Sequence, residues 1–209
     1  MNTNEKEFFS APTINEYNTV TDLIRKRRSI YADEFIKKDI TDDLLKEILT
    51  NATWAPTHKM TEPWRFLVFK EKRLEELGIF LAEYYSDYYS EKLPEDQAIE
   101  KYNFLLNYPL NAACVIGIIL VRNPKLKLPE WEEIAAVSSA VQNMALTCTA
   151  YGLGGYWSTP QGAIDFVEKF GLNEHEKSLG LFYIGHFDQA SHRSAKKRTQ
   201  LDKKVTWLS

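Results

Sequence analysis

The sequence predicts a single α+β domain, on three observations. Three apolar runs dense in β-branched and aromatic residues, "WRFLVFK", "NAACVIGIILVRN" and "LGLFYIGHFD", have strand composition. Between them lie segments whose apolar residues recur at helical spacing. No internal repeat or linker interrupts the 209 residues, a length that suits one core.

Taken in order, residues 1–20 lack a clean period and are expected to be an N-terminal extension, with the domain proper over 21–209. From Thr21 the pattern turns helical and ends in a run of four cations, Arg25 to Arg28. "ITDDLLKEILTNATWAP" predicts a helix with Thr41 as N-cap and Asp42 and Asp43 at its positive end. Leu44, Leu45, Ile48 and Leu49 form its apolar face, and Pro56 closes it. A polar loop, "THKMTEP", leads into the first strand. "RLEELGIFLAEYYSDYYSEKL" and "DQAIEKYNFLLNYP" are helical and rich in tyrosine, which favours packing or a partner surface over chemistry. "NAACVIGIILVRN" is the strongest strand, apolar on both faces. A long helix follows over roughly Trp131 to Tyr151, with small residues that let another element approach closely. "GLGGYWSTP" breaks it, with Gly152 as the C-cap glycine. "AIDFVEKFG" is a short helix, "LGLFYIGHFD" the third strand, and "HRSAKKRTQLDKKVTWLS" a basic tail.

Composition narrows the function. Net charge is −3 and acidic stretches such as "PEDQAIE" and "PEWEEI" dominate, so a nucleic-acid partner is not expected despite the RKRR run. Cys114 and Cys148 sit in apolar contexts without metal-ligand spacing, which predicts buried free thiols and a reducing compartment. No signal peptide is read, and the longest apolar run is too short to span a bilayer, so the expected location is the cytoplasm.

Four clusters could carry chemistry: Arg27, Arg28 and Ser29; the loop with Trp54, His58, Lys59 and Trp64; "GLGGYWSTP"; and the tail around "KKRTQ". Each has a plainer reading, as a solvated face, a hydrogen-bonded loop histidine, a helix cap or a solvated tail. A pair of arginines beside a serine suits a phosphate, because guanidinium donors match its oxygens.

Together the clusters resemble a known family. A helix ending in Arg-Arg-Ser, then the loop "APTHKMTEPWRF", then "AVQNMAL", "GLGGYW", "YIGHFD" and a Lys-x-Arg tail, in this order, resemble the FMN-dependent nitroreductases from about Thr21 onward. The His-Lys form of the second loop is similar to that of a subgroup of small bacterial members. The resemblance implies a central, mostly antiparallel sheet flanked by helices, in an intertwined homodimer with FMN between the subunits.

It also implies a role for each cluster. Arg27, Arg28 and Ser29, with Lys196 and Arg198 from the tail, would hold the FMN phosphate and ribityl chain. Trp54, Pro56, Thr57 and His58 would lie against the flavin ring, and Trp157, Ser158 and Thr159 beside its other edge. Electrons would pass from NADH or NADPH through flavin N5 to a small nitro or quinone-like acceptor by a ping-pong scheme. That scheme uses no protein nucleophile and no metal, and leaves His58 as a tuning residue. The chain departs from the family pattern at Tyr31, where a cation is common, at Met60, where Asn is, and at Glu62, where Gln is. Tyr31 and Met60 keep open a non-catalytic FMN-binding or sensor protein, and the sequence does not separate the nitroreductase from a same-fold reductive dehalogenase or dehydrogenase.

Overall fold

Antiparallel pairing organises the computed structural model of the protein, which describes residues 14–190 and 198–208. Among these, in chain order, lie α1 (Ile14–Lys26), β1 (Phe35–Ile36), α2 (Asp42–Thr53), β2 (Trp64–Phe69), α3 (Lys72–Tyr84), α4 (Ser86–Lys92) and α5 (Glu95–Asn107). Then come β3 (Cys114–Val121), α6 (Glu130–Ala150), β4 (Leu153–Ser158), α7 (Gln161–Glu168) and β5 (Glu176–Phe187). The sheet order is β1-β5-β3-β2, with β4 pairing β5, and every ladder between the strands is antiparallel.

The α+β expectation holds, and so does the double-sided burial of β3. Ile116, Ile118, Ile119 and Leu120 are wholly buried, each side chain contributing roughly 1.5–3 kcal/mol by leaving water. One core lies between the sheet and α2 with α6, where Ile48, Ile118, Val137, Ala140 and Met144 meet. The other lies between the sheet and α3 with α7, around Leu77, Ile119, Phe166 and Tyr183. Small residues on α6, Ala136 and Ala140 among them, give it the close approach that the sequence suggests.

The N-cap at Thr41 is as expected: its hydroxyl accepts from the Leu44 N–H at 3.3 Å. Three boundaries differ. Helix α1 begins at Ile14 and not at Thr21, while residues 1–13 lie outside the described residues. The tyrosine-rich helix is interrupted at Tyr85, giving α3 and α4. The larger correction is β4, because the stretch read as a break is a strand from Leu153 to Ser158. Paired glycines are weak strand formers, so Gly154 and Gly155 hide the strand from a pattern reading. Their lack of side chains has a use, since a Cβ at Gly154 would come within 2.8 Å of the Ile30 Cβ. Gly152, with φ of 71°, is the left-handed cap after α6. Both cysteines are buried and unpaired, and burial pushes the Cys114 thiol up to about 12. Among the described residues no helix is long and apolar enough to cross a membrane.

Candidate functional site

The cation run sits where α1 ends and the chain turns onto β4. A helix leaves its last carbonyls without partners, and Arg28 supplies one remedy. Its Nη1 donates to the carbonyls of Arg25 at 2.8 Å and Arg27 at 2.6 Å. Ser29 then forms a parallel bridge with Gly155, and the Ile30 N–H donates to the Gly155 carbonyl at 3.4 Å. This docking is what the missing Cβ of Gly154 permits.

Arg27 is the most informative side chain here. It is half-buried, and its pKa is held below the ordinary arginine value by burial first, then by the charges of Arg28 and Arg198. Three guanidinium groups from the end of α1 and the tail therefore share one region. Among the described residues no carboxylate pairs with Arg27. Like charges held together in a partly buried place favour a bound anion, and a phosphate dianion fits the donor set. Lys26 points to solvent, and Lys196 lies outside the described residues.

The second predicted loop runs along α6. Trp54 caps the C-terminal end of α2 and is 81% exposed. It borders a shallow cleft of about 420 Å³ with Leu23 of α1, Asn51 of α2, and Thr147 and Tyr151 at the far end of α6. Pro56 is exposed and Thr57 half-buried. The Thr57 hydroxyl lies 2.9 Å from that of Thr61 and accepts from the Glu62 N–H at 3.0 Å. His58 reaches the other end of α6, with its Nδ1 2.5 Å from Glu132 Oε2. Along the helix, Glu132 and Leu146 are about 20 Å apart at ~1.5 Å per residue. Trp54 thus borders α1, the helix that ends in the cations, and His58 stands at the opposite end of α6. Just after His58 the backbone is strained: Lys59 and Met60, both at φ 53°, and Glu62 at 43°, are left-handed without being glycine. Each such residue costs of order 1 kcal/mol, and strain of this kind gathers at functional sites.

The third stretch, 157–159, divides its duties. The Trp157 ring packs on the α2–α6 core and its indole N–H donates to the Leu179 carbonyl at 2.7 Å. Its side chain therefore serves the fold, and its backbone is what remains for a ligand. Ser158 is half-buried, and Thr159 is exposed on the turn into α7. β5 passes so close that a Cβ at Gly180 would meet the Ser158 carbonyl oxygen at 2.3 Å, and Gly180 itself has φ of 96°.

Two features were missed from sequence. Tyr31 is no solitary substitute for a cation, because its ring lies 4.9 Å from that of Tyr156. Tyr156 in turn donates to the Tyr108 hydroxyl at 2.8 Å, and that hydroxyl accepts from the Ala32 N–H at 3.1 Å. Burial first, and nearby phenols second, push the Tyr156 phenol far above its ordinary value, so it stays a donor. The other is Glu132, read only as part of an acidic stretch. Nothing in the spacing announces a contact across 74 residues.

The Nitroreductase family matches residues 24–186 of the chain. YfhC of Bacillus subtilis, named as a candidate NAD(P)H nitroreductase, is 28% identical over 199 residues, covering 92% of this chain and 96% of its own. A nitroreductase-like family protein from Bacillus cereus has a solved structure that aligns with a TM-score of 0.72 at 25% identity, covering 96% of this chain and 99% of that one. The FMN-dependent nitroreductase NfnB from Mycobacterium smegmatis, solved in complex with NADPH, aligns with a TM-score of 0.73 at 16% identity. There the alignment covers 93% of this chain and all of that one.

Proposed function

The chain belongs to the nitroreductase family, and from that premise we propose that it is an FMN-dependent oxidoreductase. It takes electrons from NADH or NADPH and delivers them to a small, flat acceptor of nitroaromatic or quinone type. The observation that carries this reading is the meeting of Arg27, Arg28 and Arg198 beside β4, with no carboxylate on Arg27 among the described residues. The names of two relatives, one an FMN-dependent nitroreductase with NADPH, support it.

Arg27, Arg28, Ser29 and Arg198 would hold the phosphate and ribityl chain, joined by Lys196. The backbone of Trp157, Ser158 and Thr159, and the segment from Trp54 through Pro56 and Thr57 to His58, would border the ring. When bound, FMN supplies reversible two-electron chemistry at N5, so donor and acceptor can use one slot in turn. The protein's share is to neutralise the phosphate, exclude water from the ring and place charge near it.

A homodimer goes with this reading. Trp54 and His58 stand at opposite ends of α6, and a second copy would bring another cation cluster and another loop within reach of each. Trp131, Trp207 and Leu208, the last 93% exposed, offer the apolar surface for it. A second reading, a non-catalytic FMN-binding protein, is favoured by Tyr31, whose ring is committed to Tyr156 where family members place a cation. The test is a visible absorption spectrum of the purified protein followed by stopped-flow mixing with NADH and NADPH. Flavin bands that bleach with either nucleotide support the enzyme. Bands that only dithionite bleaches favour the binder, and a colourless protein that takes up no FMN refutes both.

A further inference from the structure

Three carboxylates in the first turn of α6 have different fates. Glu133 is buried, accepting from Arg122 Nε at 2.7 Å and from the Asn123 N–H at 3.2 Å. Glu130 lies 3.2 Å from Lys177 Nζ and 3.4 Å from Arg122 Nη1. Both serve to fasten the helix to the strands beside it. Glu132 reaches out instead, to a histidine on the strained loop, in a contact of 2.5 Å. Among the described residues, this is the bond that ties the His58 ring to another element.

Which nitrogen is held matters chemically. An ionised carboxylate only accepts, so in this pair Nδ1 carries the hydrogen. The second nitrogen, Nε2, is on the far edge of the ring, in a side chain 52% exposed. While the pair holds, a proton can enter or leave the ring only at Nε2.

We propose that Glu132 is a positioning residue that fixes His58 with Nδ1–H on the carboxylate, so that His58 Nε2–H gives a proton to the electron acceptor. This rests on the oxidoreductase reading above. NAD(P)H gives up two electrons and one proton as a hydride, and a quinone becoming a hydroquinone needs two electrons and two protons. The second proton is the one His58 supplies. The donor is the imidazolium, protonated at both nitrogens: its Nε2–H bond breaks, an O–H bond forms on the acceptor, and the ring becomes neutral with its Nδ1 hydrogen still on Glu132. Water then returns a proton to Nε2 at the open edge of the ring. No tautomer exchange is needed between turnovers, which is the advantage of holding Nδ1.

The test has two independent readings. Nitrogen-edited NMR of the histidine rings, on protein without cofactor, reports the tautomer of neutral His58. The wild type shows the Nδ1–H form, Glu132→Gln keeps it through the amide oxygen, and Glu132→Ala gives a mixture with the Nε2–H form. A wild-type Nε2–H tautomer overturns the proposal. Stopped-flow on the FMN-loaded protein then separates the two half-reactions, with p-benzoquinone as acceptor. His58→Ala and Glu132→Ala slow delivery to the quinone by about 100-fold and slow reduction by NAD(P)H far less. Glu132→Gln falls between, which also covers the case in which Glu132→Ala fails to fold. Quinone rates unchanged in His58→Ala reduce the pair to a strut for the loop. A protein that takes up no FMN overturns the functional reading beneath, while the tautomer still decides what Glu132 does to His58.

Discussion

Arg122 and Arg27 are both partly buried guanidinium groups, and their surroundings differ in sign. Arg122 gives Nε to Glu133, Nη1 to Glu130 and Nη2 to the Leu128 carbonyl at 2.7 Å. Nearby, Arg65 makes a two-pronged contact with Glu176, at 2.6 and 2.7 Å. Arg27 has Arg28 and Arg198 as its charged neighbours, and their repulsion adds to the cost of its burial. The paired cluster ties strands to the start of α6 and is complete without a ligand. Arg27 carries a cost of burial and repulsion that an anion would relieve. Two arginine-rich places in one domain thus separate into a fastening and a binding site by the company each cation keeps.

The largest effect expected from breaking this contrast is at the fastening. Glu133→Ala leaves Arg122 in a half-buried place without its main partner, and chemical denaturation should show a loss of about 3–5 kcal/mol. FMN affinity per folded molecule should not change. A loss below about 1 kcal/mol would mean that the fastening is incidental.

The binding side should behave in the opposite way. Arg27→Ala removes a charge-assisted contact of about 1.5–3 kcal/mol to phosphate, so FMN affinity should fall roughly 10- to 100-fold in a fluorescence titration. Stability of the cofactor-free protein should hold or rise, because repulsion is removed. Arg198→Ala should act in the same direction, and Lys26→Ala should leave affinity unchanged. Equal affinity in all three variants would put the phosphate elsewhere.

A smaller effect sharpens the comparison through pH. Hydrogen bonding to Arg65 holds the Glu176 carboxyl below its ordinary value of 4.5. A carboxyl with a depressed folded pKa contributes stability that is present above the unfolded value and lost as pH falls through the folded one. The stability advantage of wild type over Glu176→Gln should therefore be full near neutrality and shrink on acidification below 4.5. An advantage independent of pH would assign the contact to packing. At the small end, Lys46→Ala removes an exposed pair with Asp43 at 3.6 Å and should change stability by less than about 0.5 kcal/mol.

The same contrast explains what the sequence disclosed. Helices with clear periodicity and caps, such as α2 behind Thr41, were legible, and so were β2, β3 and β5, whose apolar runs state their burial. β4 was not, because Gly154 and Gly155 carry no pattern; Gly154 admits Ile30, and Gly155 lets Phe182 and Tyr183 of β5 come close. In the site, Arg27, Arg28 and Ser29 were legible as neighbours in sequence, and the structure sets Arg198 near Arg27. The second role of Arg28, capping α1, depends on where the chain turns. The indole of Trp157 belongs to the core, which its motif position conceals. Glu132 and the Tyr31–Tyr156 contact are tertiary events between distant segments, and local pattern has no access to them.

The most direct measurement compares FMN with riboflavin, which has the same ring and ribityl chain and no phosphate. Titrated into cofactor-free wild-type protein, FMN should bind at least about 100-fold more tightly, and Arg27→Ala should remove much of that difference. Equal affinities for the two flavins would contradict the account, because the three arginines would then have no phosphate to hold.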